Sequence, residues 1–116
     1  MAGGGFLLSF RWTDALAAPL PESAAGEVSF NSYLSISPDN VITILSPNPE
    51  VGQNIKTSFP MIVAEELDAD WKNVKVVQAN LDTQKFNRQA TAGSGAMQHS
   101  WDRLRKAGAT ARLMLM

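Results

Sequence analysis

The spacing of apolar residues changes along this chain, and that change constrains its fold more than any other feature. Residues 29–37 alternate between apolar and polar side chains, which is typical of a half-buried strand. Residues 41–45 form a nearly continuous β-branched run, and the Ser-Pro-Asp-Asn at 37–40 predicts a turn before it. Together the two segments predict a β-hairpin.

Apolar residues then recur at intervals of three and four, the spacing of an amphipathic helix. The first such stretch is Ile55 to Leu67, with Pro60 early enough for its missing N–H to cost little. The candidate N-cap residues are Asn54, Thr57 and Ser58. The valines at 74–77 predict a third strand, and residues 80–92 predict a long loop.

A second apolar stripe predicts a C-terminal helix of about five turns at ~3.6 residues per turn. Its members are Met97, Trp101, Leu104, Gly108, Ala111 and Leu115. The predicted order is therefore ββαβα, an α/β fold with a loop before the last helix. The chain stops on an apolar helix end, so we expect it to be part of a larger domain.

Composition excludes several classes of function. The chain has 116 residues and a net charge of -1, which excludes a nucleic-acid binder acting through a broad basic field. It has no cysteine, which excludes disulfides, thiolate zinc sites and cysteine-ligated iron–sulfur clusters. We interpret the lone His99 as a surface or boundary residue, and Glu65 and Glu66 as the solvated face of the first helix.

The segment before the predicted fold has a different character. Residues 2–10 are small or apolar, and such a short run is too short to cross a bilayer, which takes about 20 residues. They fit the apolar part of a secretory signal with a small-x-small cleavage site at 15–17, although a basic start is missing. We expect a signal-peptide remnant at 1–18, a linker at 19–28 and an ordered unit at 29–116. A flexible glycine-rich tail is the alternative for the first segment.

Two glycine-containing segments precede the predicted helices, residues 50–54 and 91–96. Such a turn presents backbone N–H groups and the positive end of the helix dipole, which suits phosphate or another anion. Neither segment has the spacing of a P-loop or of a dinucleotide fingerprint. From these residues alone, a turn glycine at Gly52 and a simple N-cap at Ser94 are the favoured interpretation.

Several motifs resemble the molybdopterin-binding subunits of the xanthine dehydrogenase and aldehyde oxidase superfamily, most of all the isoquinoline 1-oxidoreductase beta type. They are the hairpin at 31–44, the Val-Gly-Gln-Asn turn at 51–54 and the helix Pro-Met-Ile-Val-Ala-Glu-Glu-Leu-Asp-Ala-Asp-Trp at 60–71. The Thr-Ala-Gly-Ser loop at 91–94 follows in the same order. The resemblance covers residues 30–115, and residues 2–8 resemble the core of a twin-arginine export signal without its arginine pair.

The resemblance implies the N-terminal part of a molybdopterin-binding domain in a molybdenum hydroxylase large subunit. Such oxidoreductases insert a water-derived oxygen into aldehydes or aromatic N-heterocycles. The implied cofactor is molybdopterin cytosine dinucleotide with molybdenum, and the implied partner is a small [2Fe-2S] iron–sulfur subunit. A cytochrome c is a further candidate electron acceptor. The implied location is the periplasm, or the inner membrane facing it.

The resemblance also implies which residues would contact the cofactor. They are Gly52, Gln53, Asn54, Thr91, Gly93, Ser94 and Gly95. The family has glycine where this chain has Asn54, and asparagine is the least costly replacement if that position needs a positive φ. The family's catalytic glutamate has no counterpart here, so we assign no catalytic residue and expect the chain to be inactive alone. The alternatives are a freestanding α/β binding module without cofactor and a truncated product that self-associates.

Overall fold

The computed structural model describes residues 28–116, which form one mixed sheet packed against helices. The strands are β1 (Val28–Ser29), β2 (Leu34–Ile36), β3 (Ile42–Ser46) and β4 (Val74–Gln78), adjacent in that order. The helices are α1 (Ile55–Leu67), the short α2 (Thr83–Phe86) and α3 (Ala96–Leu115), with a 3₁₀ turn at Trp71–Asn73. The predicted α/β class is confirmed. The predicted signal remnant and all of the predicted linker except Val28 lie outside the described residues.

The sheet combines a hairpin with a parallel pair. Strands β2 and β3 pair antiparallel, as predicted, with Leu34 opposite Ile44. Strand β4 pairs parallel with β3, with Ser46 opposite Gln78 at their carboxyl ends. Helix α1 makes the crossover between these two strands and packs on both of them. Turns that follow parallel strands therefore emerge at one edge of the sheet, where ligand sites of α/β folds commonly lie.

The prediction of one continuous strand over residues 29–37 is wrong. Strand β1 ends at Ser29 and folds back antiparallel on β2, so that Val28 pairs with Ile36. The side chain of Asn31 stabilises the intervening bend. Its Oδ1 accepts from the N–H of Tyr33 at 2.9 Å, and its Nδ2 donates to the carbonyl of Ala107 at 3.0 Å. The bond to Tyr33 is local, and because asparagine offers the backbone such a bond, it interrupts a strand that alternation alone predicts.

The core lies between the sheet, α1 and α3. Its fully buried side chains include Leu34, Ile44, Phe59, Val63 and Leu104. The two helices approach closely at Gly108, where an added Cβ would lie 2.4 Å from the carbonyl oxygen of Val63. An ion pair joins Asp68 to Arg112 at 3.1 Å, and a second joins Glu66 to Arg105. Glu66 is therefore half-buried and paired rather than freely solvated, whereas Glu65 is exposed as predicted.

Helix α3 has the predicted length but buries a different face. Leu104, Gly108 and Ala111 are buried as the stripe requires, whereas Trp101 is 46% exposed and Leu115 is 56% exposed. The positions that complete the buried face are small residues, namely Ala96, Ser100 and Ala107. Small side chains let α3 lie close to α1, so the large apolar residues of the predicted stripe are displaced toward solvent.

The predicted loop over residues 80–92 contains a helical turn. Asp82 is the N-cap of α2, and its carboxylate accepts from the N–H groups of Gln84 at 3.2 Å and Lys85 at 3.1 Å. Phe86 is buried and makes an edge contact with Tyr33, with ring centroids 5.3 Å apart. A single turn carries no helical period, so only its capping residue could have indicated it. None of the helices within residues 28–116 is long and apolar enough to span a membrane.

Candidate functional site

The two glycine-containing segments predicted from the sequence lie side by side. Together they border a groove of about 450 Å³. Its lining residues are Val51, Gln53, Ile55, Ser58, Thr91, Ala92, Ser94, Ala96 and Met97. The structure thus brings Gln53, Thr91 and Ser94 together, while the other predicted residues of both segments lie beside them in the chain.

Hydrogen bonds fasten the two walls of the groove to each other. The Thr91 hydroxyl donates to the carbonyl of Pro49 at 2.8 Å, and Asn48 Nδ2 donates to the carbonyl of Ala90 at 2.8 Å. Gln89 Nε2 adds a bond to the carbonyl of Pro47 at 3.0 Å. Residues 47–49 follow β3 directly, so the sheet edge sets the position of the second segment.

The first wall is the turn before α1, and it is built around a carboxylate. Glu50 Oε1 accepts from the N–H of Gly52 at 2.7 Å and of Asn54 at 2.9 Å, and Oε2 accepts from Lys56 N–H at 3.1 Å. The N–H group of Lys56 contributes most to lowering the pKa of Glu50 below its usual value, and those of Gly52, Asn54 and Gln53 add to it. The N–H groups of Gly52, Asn54 and Lys56 are therefore not free to bind an anion, because Glu50 already accepts them.

Gln53 is folded back on its own turn. Its Oε1 accepts from the N–H of Val51 at 2.7 Å, and its Nε2 donates to the carbonyl of Pro49 at 3.2 Å. The same carbonyl accepts the hydroxyl of Thr91, so one oxygen joins the side chains of both walls. The Gln53 amide is nevertheless exposed, and it lines the groove.

Backbone conformation explains two of the predicted residues in this turn. Gly52 has φ 103° and Asn54 has φ 61°, both in the left-handed region. Asn54 is the N-cap residue of α1 by position, but its side chain makes no capping bond. Asparagine is the non-glycine residue that tolerates this conformation at the lowest cost, as expected if the position needs a positive φ.

The second wall is the loop before α3, and no side chain caps that helix. Gly93 and Ser94 have φ 62° and φ 54°, and Gly95 returns to the right-handed region with φ -93°. Gly95 is the N-cap residue, so the interpretation of Ser94 as a simple N-cap is wrong. Successive N–H groups in such alternating conformations form a concavity that suits an anion.

Two of the three glycines in these segments have open space beside them. A Cβ added at Gly52 or Gly93 would meet no atom within 4 Å, whereas at Gly95 it would lie 2.9 Å from Cδ2 of His99. His99 is exposed, as predicted, and residues 28–116 contain no cluster of three side chains suited to hold a metal. The donors that this part of the chain offers are hydroxyl, amide and backbone N–H groups, which suit an organic cofactor with phosphate and ring heteroatoms.

Sequence reasoning missed the buried polar residues behind the groove. Asn48 is 1% exposed and Gln89 is 8% exposed, and both bind backbone carbonyls around the carboxyl end of β3. Ser46 Oγ and Asn48 Oδ1 are buried without a hydrogen-bond partner among the described residues. Asn48 lies between two prolines, and that pattern by itself indicates only the end of a strand. For Glu50, the available sequence signal was an acidic residue just before a predicted helix, where a negative charge is favourable.

Comparison with known proteins identifies the family of this chain. Residues 13–115 match the molybdopterin cofactor-binding domain family. The beta subunit of isoquinoline 1-oxidoreductase from Brevundimonas diminuta is 39% identical over 117 aligned positions, covering 94% of this chain and 15% of that protein. A nicotinate dehydrogenase subunit from Pseudomonas putida is 38% identical over 85 residues, covering 72% of this chain and 7% of that protein.

A third relative carries a different cofactor in its name. The membrane-bound aldehyde dehydrogenase [pyrroloquinoline-quinone] of Gluconacetobacter polyoxogenes is 35% identical over 100 residues. The alignment covers 84% of this chain and 13% of that protein. The chain thus spans at most about a seventh of the length of these relatives. The resemblance predicted from the motifs is confirmed, and the chain belongs to the molybdopterin cofactor-binding domain family.

Proposed function

We propose that the groove between residues 50–54 and 91–97 forms part of the binding wall for a molybdopterin cofactor. The observation that carries this proposal is the convergence of Gln53, Thr91 and Ser94 on one groove, in a chain whose family is defined by this cofactor. When bound, the cofactor would supply the redox chemistry through its molybdenum centre. The chain's own residues would bind and orient it.

Each wall offers a different kind of contact. Gln53 offers an amide that both donates and accepts hydrogen bonds, which suits an uncharged ring edge. The Thr91 hydroxyl donates its proton to the carbonyl of Pro49, which leaves its oxygen to accept a hydrogen bond. The N–H groups of Gly93 and Ser94 lie beside the positive end of the α3 dipole, which suits phosphate oxygens. Met97 and Ile55 supply apolar lining that keeps this part of the groove from being wholly polar.

We further propose that this chain is the N-terminal part of a molybdenum hydroxylase large subunit that acts on aldehydes or aromatic N-heterocycles. The names of the relatives support this substrate range. We also propose the cytosine dinucleotide form of the cofactor, a [2Fe-2S] subunit and a cytochrome c as redox partners, and a periplasmic location. No catalytic group is assigned to this chain, so we expect it to be inactive alone.

The test is cofactor content in the large subunit that carries this sequence. We expect one molybdenum per large subunit, and release of a cytidine nucleotide after acid hydrolysis. Thr91→Val removes the hydroxyl while keeping the shape of the side chain, and we expect it to lower molybdenum content. Thr110→Val, on an exposed site of α3, is the control and should retain it.

Two outcomes would contradict the proposal. A protein that contains a redox quinone and no molybdenum would favour the cofactor in the name of the Gluconacetobacter relative. A folded protein that contains neither would favour the freestanding binding module. Full molybdenum content in Thr91→Val would show that this wall does not hold the cofactor.

A further inference from the structure

We propose that Glu50 determines which ligand groups the Gln53 end of the groove accepts. Its carboxylate fills the anion-binding amides at the start of α1. The Gln53 end is thereby reserved for uncharged polar groups. This inference rests on the proposed function of the groove, and its test is independent of cofactor loading.

The geometry of Glu50 is that of a bound anion. Its two oxygens accept three backbone N–H groups within 3.1 Å, from Gly52, Asn54 and Lys56. These are the groups that a phosphate would use at a helix N-terminus. Because the carboxylate is covalently attached to the same turn, it occupies them at a high effective concentration.

The negative charge of Glu50 is a second reason why an anionic ligand group should not bind at the start of α1. The N-terminus of a helix carries roughly half a positive charge, which a neighbouring carboxylate neutralises. An anionic ligand group at the Gln53 end would lose the attraction of the α1 dipole and meet the repulsion of Glu50. A neutral carbonyl or ring N–H would meet neither penalty, and Gln53 has both a donor and an acceptor to offer it.

Glu50 also determines the position of the Gln53 side-chain amide. Glu50 binds the N–H groups of Gly52 and Asn54, the residues on either side of Gln53, and so fixes the backbone that carries the amide. Glu50 is thus a positioning residue that acts through Gln53. Its loss should both release the turn and open the amides to anions.

The experiment measures binding of inorganic phosphate to the 116-residue chain by amide NMR at neutral pH. In the wild type we expect the amide signals of Gly52, Asn54 and Lys56 to be protected from exchange and unmoved by phosphate. In Glu50→Gln we expect phosphate to shift these three signals, with affinity about fivefold or more above the wild type. Glu50→Asp keeps the charge and should restore exclusion of phosphate.

Glu65→Gln makes the same change of charge on an exposed site of α1 and is the matched control. We expect its response to phosphate to equal that of the wild type. The inference is overturned if phosphate shifts the three amides in the wild type, or if they are unprotected there. It is also overturned if Glu50→Gln excludes phosphate as the wild type does. None of these readouts depends on molybdenum, so the proposed function can fail or stand separately.

Discussion

Gly108 of α3 lies against the backbone of Val63 in α1, so closely that a Cβ at Gly108 would be 2.4 Å from the Val63 carbonyl oxygen. Real Cβ atoms do not approach an oxygen to that distance, so any side chain there must push the two helices apart. The contact sets the spacing of the helix pair that backs the sheet.

Gly108→Ala should therefore destabilise the fold, although alanine is the better helix former. The gain in helix propensity is about 1 kcal/mol, and overpacking at a close contact costs about 1–3 kcal/mol. We expect a net loss of up to about 2 kcal/mol in the free energy of unfolding, measured by urea denaturation. Thr110→Ala, on an exposed site of the same helix, should be neutral or slightly stabilising. Equal midpoints for both variants would refute the close-packing argument.

Substitution of Asn54 should follow the left-handed conformation of its backbone, φ 61°. Asn54→Gly should be tolerated, because glycine adopts this region without strain. Asn54→Val should lower the free energy of unfolding by about 1–2 kcal/mol, since a β-branched residue is strained there. Thermal unfolding followed by circular dichroism separates the two. A valine variant as stable as the glycine variant would show that the turn changes conformation freely.

The stability contributed by Glu50 should depend on pH. Backbone N–H groups hold the pKa of Glu50 below its unfolded value, so the folded state favours the ionised carboxylate. The contribution is complete above the unfolded pKa of about 4.3 and is lost as pH falls through the lower folded pKa. Urea midpoints of the wild type and Glu50→Gln should thus differ at neutral pH and converge as the pH falls through the lowered pKa of Glu50. A gap that stays constant over this range would exclude the charge as its cause.

The two large side chains of α3 should respond differently to truncation. Leu104 is fully buried, and Leu104→Ala should cost about 2–5 kcal/mol of unfolding free energy. Trp101 is 46% exposed, so Trp101→Ala should cost about 1 kcal/mol or less. Chemical denaturation of both variants measures the difference. If Trp101→Ala lost more unfolding free energy than Leu104→Ala, Trp101 would belong to the buried face, as sequence periodicity predicts.

The apolar pattern of the sequence predicted the elements that pack on the core along their whole length. Helix α1 lies where its apolar spacing predicts it, and β3 lies within one residue of its β-branched run. The bend at Asn31 escaped prediction because a bond to α3, distant in sequence, stabilises it. Trp101 was misplaced because the close approach at Gly108 favours small residues over large ones at the helix contact.

The candidate groove was predictable only in part. The motifs identified both of its segments, and the positive φ at Asn54 agrees with the expected exchange for glycine. The role of Glu50 was not predicted, because a helix cap reached from four residues upstream depends on how the turn folds. A family pattern indicates which segments form the site. Finding the hydrogen bonds that hold those segments in place requires the three-dimensional structure.

The bond from Asn31 to the carbonyl of Ala107 spans 76 positions and joins the start of the described fold to its last helix. Contacts so distant in sequence carry the largest loop-closure entropy, so we expect them to form late in folding. During synthesis, β1 and β2 emerge long before α3 exists to receive them. On the ribosome, the Asn31 side chain must therefore wait for its hydrogen-bond partner in α3 until almost all of residues 28–116 have been synthesised.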